Sequence, residues 1–172
     1  MVAVLTVLSF IMIAVYTSAV CIRLKAVPNS ISETFYRIEH KTWFGITMIS
    51  ASLVLTPAIL QVTPDSFQFT AFLACCGMCL TGIAPNFREG IEEKIHVSGA
   101  VLCLLFSQIW VYIINPWMLV LWVIYISYTA VCMKRKWDGK FISSFMKTKP
   151  MFWVETTSIV STYSTLFLMM LK

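Results

Sequence analysis

The chain has 172 residues, 59% hydrophobic and only 12% charged, with a mean hydropathy of +0.82 and a formal net charge of +5. Soluble domains carry roughly 25% charged residues, so this composition excludes a water-soluble globule and makes the bilayer the solvent. The positive balance does not point to nucleic acid, because the basic residues gather in a few connections beside apolar runs, where anionic lipid headgroups lie.

A crossing helix needs about 20 mostly apolar residues. Six stretches qualify, at about 1–22, 43–60, 67–83, 95–114, 117–133 and 151–171. The expected fold is an all-α integral membrane protein, a six-transmembrane-helix bundle with short loops forming a single polytopic domain over residues 1–172.

The first run is apolar and lacks the positive n-region of a secretory signal peptide, and Val20 stands before Cys21 where lipoprotein cleavage needs a small residue. It is expected to be a retained helix. The connection that follows, Arg23 to Lys41, contains Pro28 and then Ser30-Ile31-Ser32-Glu33, the S-x-x-E spacing of a capping box. A helix is expected from about Ile31. Ile31, Phe35 and Ile38 share one face of it, so it reads either as a surface helix or as the first turns of the next crossing.

Trp43 opens the second crossing at headgroup level. Asp65, after Pro64 and before Ser66, is placed as the N-cap of the third crossing. Asn86 with Glu89 repeats a capping spacing, so that connection is expected to hold one or two helical turns leading into the fourth. Asn115-Pro116 reads as N-cap and first helical residue of the fifth. The last connection holds Lys134, Arg135, Lys136, Lys140, Lys147 and Lys149 before Pro150 and the sixth crossing.

Every Lys and Arg except Lys172 falls in the connections after the first, third and fifth crossings. By the positive-inside rule those connections are cytoplasmic, and the N- and C-termini are on the non-cytoplasmic side.

Chemistry-bearing residues are sparse. Glu155, Ser158, Thr162 and Thr165 recur along one face of the sixth crossing, and an ionisable residue inside a span is a functional-site candidate. The topology sets His40, Asn86, Glu89, His96 and Glu155 at one end of the bundle. The candidate functional polar cluster is therefore Glu155, His96, Ser158, Thr162, Asn86 and His40. The competing structural reading has Glu155 favoured by its helix N-terminus and the hydroxyls serving interhelical packing.

Two histidines and no buried aspartate do not make a metal-dependent hydrolase of the ceramidase-like kind. Neither a Gly-rich phosphate loop, a G-x-S-x-G elbow nor an H-E-x-x-H occurs. No metal, cofactor or catalytic set is expected. Cys76-x-x-Cys79 sits within an apolar run, where cysteine acts as a small apolar residue. Ala71, Cys75 and Cys79 on the third crossing and Gly99, Cys103 and Ser107 on the fourth form small-residue stripes, which predict a close antiparallel pair.

Pro28-x-Ser30-Ile31-Ser32, with Gly82-x-x-Pro85 leading to His96, resembles the DRAM-like autophagy modulators. Those families place the first connection outside the cytoplasm and the basic residues here place it inside, so nothing is carried over from the resemblance.

The expected function is non-enzymatic: a small multi-pass protein of the plasma or inner membrane whose basic face, Lys134, Arg135, Lys136, Lys140, Lys147 and Lys149, binds anionic lipid headgroups or a partner. A second copy or another membrane protein is a candidate partner, and nucleic acid is not. The alternatives are a small transporter or permeation subunit using Glu155, and a membrane-embedded lipid-modifying enzyme using Glu155 and His96.

Overall fold

The computed structural model describes residues 1–88 and 90–171, which are mostly helical with no strand among them. In chain order the helices are α1 (Val2–Leu24), α2 (Thr34–Arg37), α3 (Thr42–Val62), α4 (Gln68–Ile83), α5 (Gly90–Ile114), α6 (Val120–Arg135), α7 (Phe141–Met146) and α8 (Pro150–Met170). Five helical stretches are long and apolar enough to cross a membrane: Val2–Leu24, Thr42–Val62, Asp65–Ile83, Gly90–Ile114 and Pro116–Arg135. α8 matches them in length, but Glu155 and its serines and threonines leave it less apolar.

Helices dominate because lipid offers backbone groups no hydrogen bonds, so each segment must satisfy its own. α1 ends where Lys25 takes the left-handed conformation, φ 49°, and Ala26 N–H closes onto Cys21 O at 3.3 Å. Pro57 lies inside α3, which membrane helices tolerate.

Neighbours in sequence pack as neighbours in space: α1 on α3, α3 on α4, and α4 on α5. The α4–α5 contact is the most extensive and is close because Gly77 faces Gly99; a Cβ on Gly77 would stand 2.5 Å from Gly99 O and 2.4 Å from Cys103 N. The expected pair therefore forms, but its closest approach on α4 is at Gly77. The 71/75/79 stripe is turned partly toward α3, where Ser52 Oγ donates to Cys75 O at 2.7 Å. α8 closes the bundle against α5, α6 and α1. One core unites Ile13, Leu55, Ile59, Trp110, Tyr163 and Leu166, and a smaller one, Ile31, Phe44, Met48 and Phe152, lies beneath the first connection.

Three expected helix starts differ, and the first is α2, which begins at Thr34 rather than near Ile31. Asp65 opens a 3-10 turn, Asp65–Phe67, and makes no cap bond. Its carboxylate accepts Gln68 Nε2 at 3.1 Å, because that amide also reaches Leu60 O and Thr63 O at the end of α3. Asn115 makes no side-chain cap either. Its N–H continues α5 by bonding Val111 O, its carbonyl accepts Met118 N–H, and α6 begins only after the 3-10 turn Pro116–Leu119. The helical turns expected ahead of the fourth crossing are the first turns of α5, which runs from Gly90; Glu89, the proposed partner of Asn86, lies outside the described residues.

Candidate functional site

The 29–33 turn is held from three directions. Within the connection, Ser30 Oγ accepts Glu33 N–H at 2.9 Å, one half of the expected capping box. The Glu33 carboxylate reaches one residue further back than that motif requires, to Asn29 N–H at 2.7 Å, and also takes Arg37 Nη2 at 3.0 Å. Burial works against the charged Glu33 carboxyl, but the Asn29 N–H and Arg37 outweigh it and hold the group below its ordinary range. Residues 34–37 form a single helical turn, and extended backbone at Ile38, φ −106° and ψ 148°, separates it from α3. Ile31, on the face that could have met lipid, is buried in the smaller core.

From α8, Glu155 Oε2 accepts the backbone N–H of Ile31. From α5, His96 Nε2 meets Ser32 Oγ at 3.0 Å while its Nδ1 meets Ala84 O at 2.9 Å. A carbonyl can only accept, so Nδ1 carries the proton, and in the neutral ring Nε2 accepts the Ser32 hydroxyl. His96 is 4% exposed and lies against Phe87, ring centroids 4.9 Å apart. Glu155 and His96 thus converge on consecutive residues, Ile31 and Ser32. Among the described residues no direct hydrogen bond joins them to each other.

Glu155 and Ser32 line a cleft of about 80 Å³ together with Thr81, Cys103 and Ser158. A second cavity, of about 50 Å³, shares Cys103 and Ser158 and continues past Ser107 and Thr162. Ser158 belongs to a network that sequence reasoning missed. Gln108 Nε2 donates to Ser158 Oγ at 2.8 Å, while Gln108 Oε1 accepts Ser161 Oγ at 2.9 Å and Trp122 Nε1 at 2.8 Å, tying α5, α6 and α8. The available signal was an amide side chain in the middle of an apolar crossing. Thr162 is buried and donates to Ser158 O of its own helix at 2.8 Å.

Asn86 Oδ1 accepts the Tyr36 hydroxyl at 2.7 Å, which joins the first connection to the third-to-fourth connection. His40 is exposed. It stands with Arg23 and Trp43 on a groove of about 540 Å³ between α1 and α3, apart from the cleft.

The last connection meets the same end of the bundle: Lys149 Nζ donates to Val27 O, and Phe152 N–H donates to Asn29 O at 2.9 Å. The basic cluster is divided in its roles. Lys147 pairs with Asp138 at 2.6 Å and Lys136 Nζ donates to Lys147 O at 2.9 Å, so these two and Lys149 brace the loop. Lys134, Arg135 and Lys140 are exposed and make no side-chain bond among the described residues. Asp138 also accepts Ser143, Ser144 and Lys140 N–H; with Lys147 foremost, these hold its carboxyl far below the usual range. α7 turns Phe141 and Ile142, 61% and 75% exposed, away from the protein, beside exposed Trp137 and Met146.

Comparison with protein-family models, curated proteins and solved structures finds no match to this chain.

Proposed function

We propose that this protein is a six-span integral membrane protein of the cell membrane, termini outside, whose cytoplasmic end binds anionic lipid headgroups through its last connection. The observation that carries the reading is α7. A short helix that leaves Phe141, Ile142 and Met146 exposed beside Lys134, Arg135 and Lys140 suits the headgroup boundary, with apolar side chains entering it and cations among the phosphates. The three basic connections meet at this end through the Tyr36–Asn86, Phe152–Asn29 and Lys149–Val27 bonds, which agrees with a shared cytoplasmic side. α8 is the sixth span in this reading: Ser158, Ser161, Thr162 and Thr165 are buried and bond within the protein, so these four hydroxyls are not presented to lipid.

Each unpartnered cation near an anionic surface contributes about 1 kcal/mol. The test is the association of spin-labelled phosphatidylglycerol and phosphatidylcholine with the full chain in mixed bilayers. The reading expects a several-fold preference for the anionic lipid that falls with salt and largely disappears in a Lys134→Gln/Arg135→Gln/Lys140→Gln variant. Equal association of the two lipids with the unaltered chain, or an unchanged preference in the variant, would refute it.

A further inference from the structure

We infer that the cleft between α8 and the 29–33 turn binds one monovalent cation, with Glu155 as its anionic ligand and the Ser32 and Thr81 hydroxyl oxygens as neutral ones. Glu155 accepts Ile31 N–H on Oε2, and among the described residues Oε1 has no partner and no Lys, Arg or His forms an ion pair with the carboxylate. An uncompensated carboxylate in a low-dielectric bundle is costly, and a single positive charge neutralises it. A divalent ion would leave a net charge of the opposite sign in the same place.

The hydroxyls around it have already committed their protons. Thr81 Oγ1 donates to Met78 O at 2.7 Å. Ser32 donates to His96 Nε2, since Nδ1 holds the ring proton. Ser107 donates to Leu104 O at 3.1 Å, so the Ser158 hydroxyl, 3.1 Å from Ser107 Oγ, gives its proton there. The polar lining therefore offers lone pairs and no hydroxyl proton, which suits a cation or its bound water and rejects an anion. These are oxygen donors, the preference of hard cations. A cleft of about 80 Å³ has room for such an ion with one or two waters, each taking roughly 30 Å³ in the liquid.

The test uses the full chain in detergent micelles and follows thermal unfolding as sodium chloride replaces choline chloride at constant ionic strength, with lithium, potassium and ammonium chloride as further arms. A ligand bound only by the folded state raises the midpoint with concentration. The expected result is a concentration-dependent rise with at least one small cation relative to choline. The rise is absent in Glu155→Gln and weakened several-fold in Thr81→Val, which keeps the side-chain shape and removes the hydroxyl. Should Glu155→Gln fail to fold, Thr81→Val decides alone. Identical unfolding in choline and in every small cation would overturn the inference, as would a full response in Thr81→Val or in a folded Glu155→Gln. The lipid selectivity of Lys134, Arg135 and Lys140 is read separately and does not depend on this result.

Discussion

At the scale of single residues, the end of the bundle is organised by side chains that act on backbone groups. Glu155, Glu33 and Ser30 accept the N–H groups of Ile31, Asn29 and Glu33, and His96 donates to Ala84 O. The 29–33 turn has no regular helix or strand to satisfy its own amides, so these bonds replace the ladder that is missing. Glu33 gives a prediction with a definite sign. Its folded carboxyl lies below the unfolded value of about 4.3, so its contribution is fully present at neutral pH and is lost as pH falls through the carboxylate range. Hydrogen exchange of the 29–37 amides is expected to accelerate on acidification, and Glu33→Gln is expected to be fast already at neutral pH. Exchange that is slow and pH-independent after correction for intrinsic rates would contradict this role. The Ser30–Glu33 bond was legible in the sequence because both partners lie within one turn. The Ser32–His96 bond was not, because the partners lie 64 residues apart and only packing brings them together.

At the scale of elements, burial supplies little drive between helices in lipid, so close backbone approach and a few polar bonds decide which faces meet. α4 carries small residues on more than one face, and spacing alone could not choose between the 71/75/79 stripe and Gly77. The Ser52 bond to Cys75 O and the Gly77–Gly99 approach settle the rotation of the helix. Gly77→Ala is expected to destabilise the protein by about 3 kcal/mol, because the added methyl meets backbone atoms of α5 that cannot turn aside. Thermal unfolding in micelles measures this, and an unchanged midpoint would mean that α4 and α5 are not in close contact. α7 escaped sequence reading for another reason: six residues are too few for a periodicity to register, and its order comes from Asp138 gathering Ser143, Ser144 and Lys147.

At the scale of the whole molecule, five of the six expected crossings were legible as long apolar helices because hydropathy and length nearly determine such segments, while their ends were set by turn bonds that composition does not reveal. Trp110 Nε1 bonding Thr63 Oγ1 at 2.8 Å and Tyr163 meeting Ser9 at 2.6 Å lock α5 to the end of α3 and α8 to α1 deep in the bundle. The account depends most on α8, the least apolar of the long helices, crossing with Glu155 inside. If it crosses, the last connection and the carboxyl end lie on opposite sides; if it lies along the surface, they share a side. Single cysteines replacing Lys140 and Leu171, in a background with the native cysteines replaced, can be labelled in intact cells with a membrane-impermeant maleimide. The account predicts that position 171 labels from outside and position 140 only after the membrane is opened. Labelling of both positions from the same side would contradict it.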